Sequence, residues 1–358
     1  MSPAAAHTDI AVVGAGILGV LTAREILARA PGTSVTLLDR DLIGSGATRR
    51  SAGLHFPRGA SATTRELAAE SQRFYADLHA ARPDLPIHPL EMTVLAPLAS
   101  EPALREAYLP EAKLRPVEEL PPQVPALPAG YGLWEGDGCQ YADVQGLAQQ
   151  LAADLRPAVA FREGVAVTAL EPGPDEVRLT LSGGAALTAG HVVLAPGPWL
   201  AEPAWAALLA PLGARVKKIV ALHVDVAPAP GDRAIVFHDE DAFLLPFHHR
   251  GHWLFSYTCQ EWDVDPATVH PEVRAGHLDE ARALLRRYAP DLAAACASGR
   301  VFCDAYGPRG TALVEALAGG RIVFAGAAGG SGYRLAPALA ARAADLIPAL
   351  PRPRKATT

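Results

Sequence analysis

DIAVVGAGILGVLTAREILARA, residues 9–30, followed by SVTLLD at 34–39, is the stretch whose reading decides the fold. DIAVV is an apolar run of the length of a buried strand, and ILGVLTAREILARA reads as the helix that follows it. Between them Gly14, Gly16 and Gly19 form a GxGxxG turn. The first glycine permits the tight turn, the second lets a pyrophosphate approach the backbone, and the third lets helix and strand pack closely. A helix starting at Ile17 and Leu18 then offers free N–H groups and a positive dipole end to phosphates. Asp39 ends the second strand about 20 residues after Gly19, where a ribose-binding carboxylate belongs, with Arg40 beside it. Strand, turn, helix, strand and acid together predict a dinucleotide site. The acidic residue argues against a 2′-phosphate and leaves NAD or FAD.

The chain has 358 residues, long enough for two domains. Half of it is hydrophobic and 20% charged, the balance of a globular rather than a disordered protein. The net charge of −6 comes with no dense basic block, so nucleic acid is not an expected partner. The weakly basic tail PRPRKATT reads as solvated. Cys139, Cys259, Cys296 and Cys303 show neither CxxC nor regular spacing. That fits a reducing cytoplasm better than a disulfide framework or a zinc site. The start, MSPAAAHTDIAVVGAG, has no basic region before its apolar run, and no segment supplies about 18 uninterrupted apolar residues. Neither a signal peptide nor a membrane span is expected.

Beyond Asp39 a Gly/Ser/Arg-rich loop, LIGSGATRRSAGLHFPRG (42–59), precedes an amphipathic helix over 63–81, with Leu67, Phe74 and Leu78 near helical spacing. Residues 97–130 are rich in Pro and Glu and read as a meandering surface segment. A helix follows at 143–156, then short strands at 165–170, 176–181 and 191–195. A β-rich block runs from 216 to 257. In it FHHRGH (247–252) reads as a hairpin turn, its His248, His249 and His252 lacking a metal partner set. A helix over 270–289 leads to the strands VFCDA and RIVFAGA and a closing helix, YRLAPALAARAADLI. Parallel-type strands with crossover helices at both termini, around the β-rich block, predict an α/β domain interrupted by a second.

IAVVGAGILGVLTAREIL…VTLLDR followed by GSGATRRSAG, then GHVVLAPGPWL (190–200), then GGSGYRLAPALAARAADL (329–346), resembles in content and order the FAD-dependent amine and amino-acid oxidoreductases of the D-amino-acid oxidase superfamily, glycine oxidase and monomeric sarcosine oxidase in particular. The resemblance selects FAD over NAD. It implies a Rossmann-like FAD-binding domain of residues 1–90, 140–215 and 300–358, and a β-sheet substrate domain of 91–139 and 216–299. The implied flavin contacts are Gly14, Gly16, Ile17, Leu18, Gly19, Asp39 and Arg40. They continue along the loop through Gly46, Ala47, Thr48, Arg49, Arg50, Ser51, Ala52, Gly53 and Leu54. Val165, Ala195, Gly197 and Trp199 follow, then Gly329, Gly330, Ser331, Gly332, Tyr333 and Arg334. Arg49 and Arg50 both answer to the arginine that the family places near the flavin edge, and His55 stands just beyond them.

The implied reaction oxidises the C–N bond of an amine or amino acid, a secondary or cyclic one expected, to an imine, with the flavin reoxidised by oxygen. A dehydrogenase of the same fold, passing electrons to a quinone or carrier protein, is the alternative, and an NAD-dependent dehydrogenase a remoter one. Arg334 occupies the position of the family's cation over the flavin, and a guanidinium fork suits a carboxylate. Tyr333 and Tyr257 are candidate pocket-wall residues, as are Phe243 and Phe247. Two departures from the family stand out. CDAYGPRGTAL (303–313) offers Ala305 or Tyr306 where glycine oxidase has a carboxylate-binding arginine, with Arg309 displaced. Leu254 replaces the lysine with which sarcosine oxidase promotes reaction with oxygen. Cys303 lies about two residues from the position of sarcosine oxidase's flavin-linking cysteine. Non-covalent FAD is the expectation, and a covalent link through Cys303 is the alternative.

Overall fold

The computed structural model describes residues 6–348 and 350, so the first five residues and the basic tail lie outside the described residues. β1 (Ala6–Val13) and β2 (Val35–Leu38) pair in parallel, with α1 (Ile17–Arg29) crossing between them. The last four residues of β1 are all buried, because helices or strands cover both faces of this sheet. On its other side β1 pairs in parallel with Ala186–Leu194, which in turn pairs with Ile322–Gly326. Val159–Arg162 extends the sheet past β2, and Leu313–Leu317 closes the opposite edge. Three helices, α1, Val144–Leu155 and Gly332–Asp345, share one core on the sheet. The helix expected over 63–81 spans Ala62–Ala81, capped by Ser61 Oγ accepting from Thr64 N, and buries Leu67 and Leu78. Phe74 stays half-buried beneath the Arg24 guanidinium.

A second sheet of nine strands stands beside the first. Its order runs Cys296–Tyr306, Arg215–Val224, His252–Tyr257, Ala242–Phe247, Ala234–Phe237, Ile87–Pro97, Tyr131–Ala142, Leu54–His55, with Arg115–Val117 on the flank. Neighbours are antiparallel except Ala234–Phe237 on Ile87–Pro97. The sheet therefore takes in residues 54–55, 87–90, 140–142 and 300–306, which lie outside the segments expected for the substrate domain. FHHRGH is the turn between two of its strands.

Two expectations need correction, and two strands are not expected at all. Residues 97–130 are not simply a surface meander: Glu101–Ala107 is helical, and Leu104, Tyr108, Ala112 and Val124 are core residues. The helix over 270–289 is shorter, Ala275–Arg286, with a separate short helix at Pro290–Ala294; Pro271 disfavours helix just before it. The long strands Ile87–Pro97 and Tyr131–Ala142 carry no strand signature, because prolines interrupt the first and glycines the second. A Cβ on Gly136 would lie 2.4 Å from Met92 Cε, so a larger residue there would have to displace the end of that flexible side chain. Among the described residues no helix is long and apolar enough to cross a membrane, and the four cysteines are unpaired.

Candidate active site

The glycine turn is built as its spacing demands. Gly14 has φ +104°, and a Cβ there would lie 2.2 Å from the Ala195 carbonyl oxygen, so the turn is clasped to the 186–194 strand. A Cβ on Gly19 would lie 1.8 Å from the Gly14 carbonyl oxygen, which fixes helix against strand. The Asp39 carboxylate accepts from Ala15 N (2.7 Å) and Asp41 N (2.9 Å), and burial holds its pKa above the usual carboxylate value. Val165 N donates to the Asp39 carbonyl at 2.9 Å, bringing Val165 to the same end. Gly16 caps α1 without a side chain, and Ile17 N donates to Thr48 Oγ1 at 3.0 Å. Arg40 stacks 4.4 Å over Trp199 and pairs with Glu202. A Cβ on Gly46 would stand 3.1 Å from Cζ3 of the same indole.

From this turn a cavity of about 400 Å³ runs between the two sheets. Gly16, Ile17, Leu18, Ala47 and Thr48 line its nucleotide end, continued by Ser51 through Leu54, Ala195 and Gly197. Gly329–Arg334 forms another wall. Gly329 has φ +54°, and a Cβ there would meet the Tyr306 ring at 2.4 Å. The far end is lined by Phe56, Arg58, Phe243, Tyr257 and Tyr306.

The charges at that end are unusual. Arg334 is 9% exposed; it donates to the Arg58 carbonyl and to Ser331 Oγ, each at 2.6 Å, and lies 5.1 Å over Phe56. Burial, then the Arg58 charge, pushes it down to about 10. Arg58 Nε is buried with no partner, and among the described residues neither arginine has a carboxylate within ion-pair distance. Lys217, 5% exposed, holds its ammonium 5.0 Å over Trp262 and 5.6 Å over Tyr306, with burial lowering its pKa. Asp304 and Asp241 also line the cavity, Asp241 accepting from Thr258 Oγ1 at 2.9 Å. Tyr257 Oη donates to Glu280 (3.1 Å), whereas the buried Tyr333 Oη has no partner.

Several candidates stand off this cavity. His55 is fully buried, bonded through Nε2 to Gln72 and packed edge-on against Tyr75; burial pushes it down to about 4. Arg49 is exposed, and Phe247 is buried in the second sheet's core. Arg50, Trp199 and Cys303 line a smaller cavity of about 100 Å³. Burial pushes the Cys303 thiol up to about 11, so it is no ready nucleophile. Arg309 is exposed in a turn, at φ +58°. Conversely, Arg58, Lys217, Asp241 and Asp304 escaped the sequence reading as site residues. Only the FPRG turn that carries Arg58 gave a local signal. No group of three or more potential metal ligands occurs among the described residues.

The family model for FAD-dependent oxidoreductases matches residues 9–346. The chain belongs to that family. Glycine oxidase from Geobacillus kaustophilus superimposes with a TM-score of 0.79 at 21% identity, over 96% of this chain and 95% of that one. L-proline dehydrogenase from P. horikoshii gives 0.81 at 18%, covering 96% and 94%. FAD-bound L-alpha-glycerophosphate oxidase from Mycoplasma pneumoniae gives 0.76 at 15%, covering 95% and 94%. At these identities the likeness is one of fold. No curated protein matches the chain significantly. Membership decides for FAD over NAD, and the residues of this oxidoreductase fit FAD. The helix start at Gly16, with no side-chain cap on its N-cap residue, the close-packed glycines and the cavity are compatible with a dinucleotide. Asp39 stands behind the turn, its carboxylate on Ala15 N and Asp41 N, and does not line the cavity.

Proposed function

We propose that this flavoenzyme oxidises the C–N bond of an amino acid, preferably a secondary or cyclic one, to an imine. The observation that carries this reading is the Arg58–Arg334 pair, two guanidinium groups lining the cavity with no carboxylate within ion-pair distance among the described residues, Asp241 on the same cavity acting on Arg334 only at longer range. Burying the Arg334 charge without an ion-pair partner is costly, and the half-buried Arg58 beside it adds a like charge, unless a ligand anion completes the site. A substrate carboxylate has the right charge and planar shape. When bound, FAD supplies the two-electron acceptor for the carbon–hydrogen bond next to nitrogen. The chain's own residues would then hold the carboxylate at the arginines, wall the substrate with Phe56, Phe243, Tyr257 and Tyr306, and keep water from the reacting carbon.

The test is anaerobic bleaching of the purified flavoprotein by primary, N-methyl and cyclic amino acids, set beside amines lacking the carboxylate. Bleaching by the carboxylate-free amines alone would sink the reading. Non-covalent FAD belongs to this proposal, since Cys303 faces the smaller cavity. Acid precipitation should leave the yellow colour in the supernatant. A cytoplasmic site of action is also part of it, supported by the unpaired cysteines.

Oxygen is the proposed acceptor. Leu254 provides no cation, but Lys217 puts an ammonium in the cavity wall, and a preorganised cation favours the anion formed on oxygen. Lys217→Met should slow reoxidation by air tenfold or more in stopped flow, whereas anaerobic bleaching should approach the wild-type rate at high pH. Sluggish reoxidation of the unaltered enzyme would instead favour a dehydrogenase passing electrons to a quinone or carrier protein.

A further inference from the structure

We propose that Asp304 is a catalytic base, its carboxylate accepting the proton that the substrate's ammonium group must lose before oxidation. The inference rests on the amino-acid reading above. Asp304 lines the main cavity, whereas Cys303, its neighbour on the same strand, lines the smaller one. Its cross-strand partner is Lys217, but no ion pair within 4.0 Å forms, and no donor bonds the carboxyl among the described residues. Lys217 rests instead on the rings of Trp262 and Tyr306. Asp304 is half-buried, and carboxylates drawn even partly out of water are normally paired or hydrogen-bonded. One left open towards a substrate cavity, with a cation near enough to bias it but not to bond it, is free to take a proton from a ligand.

The surroundings suit that task. Burial raises the Asp304 carboxyl to about 7, with Lys217 pulling the other way. Tyr306 and Cys303 on its own strand are the other titratable groups beside it. Arg50 and Lys218 lie on the Cys303 side, and Arg282 meets the far end of the strand at Cys296. Asp241, Tyr257, Arg58 and Arg334 also line the cavity. Above pH 7 the carboxyl is mainly ionised and can accept. Below it the proton is already there. An amino-acid ammonium with a pKa near that of an alkylammonium, about 10.4, is neutral in only roughly one molecule per thousand at pH 7.5. The step breaks one N–H bond and forms one O–H bond; no electrons move, and the freed nitrogen lone pair is what later C–H cleavage requires. A base placed in this way is worth about 10²–10⁴-fold.

The experiment measures anaerobic flavin bleaching by L-proline and N-methylglycine across pH, in wild type, Asp304→Asn and Asp304→Glu. Wild type should rise to a plateau with a midpoint near 7. Asp304→Asn should be about 100-fold slower at pH 7.5 and approach wild type only near pH 10, while Asp304→Glu keeps a titrating base and a plateau. An infrared titration of wild type minus Asp304→Asn, independent of turnover, should show a protonated carboxyl band lost through about pH 7. An unchanged pH profile in an Asp304→Asn enzyme that still bleaches, or a carboxyl ionised from about pH 5 upward, overturns the base and makes Asp304 a counter-ion of Lys217. A wild-type flavin bleached by no amino acid overturns the amino-acid reading itself.

Discussion

Arg334→Met should lower the second-order rate of flavin bleaching by an amino acid by roughly 30- to 4,000-fold. That range is the about 2–5 kcal/mol typical of removing one partner of a buried charged pair. The Arg334 fork is aimed by its bonds to Ser331 Oγ and the Arg58 carbonyl, so the carboxylate would meet a preorganised pair of donors. Arg334→Lys keeps the charge but loses the fork, and should fall between wild type and the methionine variant. The comparison that decides the matter uses an amine of the same shape without its carboxylate. Its rate should fall only a few-fold. An equal loss for both substrates would mean that Arg334 supports the 329–334 wall and does not hold a substrate anion.

The second large effect lies at the opposite end of the cavity. Gly14→Ala places a methyl group where a Cβ would stand 2.2 Å from the Ala195 carbonyl, at a φ of +104° that L-residues avoid. The backbone strain alone is about 1–3 kcal/mol, and the overlap must further part the turn from the 186–194 strand. The N–H groups that would face the pyrophosphate move with it. The variant should purify largely colourless, bind added FAD at least 100-fold more weakly by fluorescence titration, and melt at a lower temperature than the wild-type apoprotein. Retention of stoichiometric FAD would show that the turn is not the phosphate cradle.

What the sequence disclosed, and what it hid, follows from where each signal is stored. The glycine turn, α1, β2 and Asp39 are legible because their chemistry lies within some thirty consecutive residues. The Gly329–Arg334 wall is legible for the same reason. The far end of the cavity is assembled from remote segments: Arg58 from a turn, Lys217 from one strand, Asp304 from its neighbour. No local pattern says that these three will meet. At Cys303 and Asp304 the decisive fact is strand parity, since adjacent residues on a strand point to opposite sides and a single residue of register exchanges thiol for carboxyl. The long strands Ile87–Pro97 and Tyr131–Ala142 were hidden by their own prolines and glycines, which serve a bulge and close contacts rather than a chain break.

The parallel seating of β1 between β2 and the 186–194 strand bears on how the molecule comes into being. During synthesis β1 finds one neighbour about 25 residues later and must wait roughly 180 residues for the other. The 322–326 strand and the 329–334 wall arrive later still. A chain with such distant pairings folds slowly, and its unpaired strand edge is open to wrong partners in the interval. The cavity is therefore complete only once the 329–334 wall has docked against segments far upstream of it, and a flavin that needs this wall is captured after that docking.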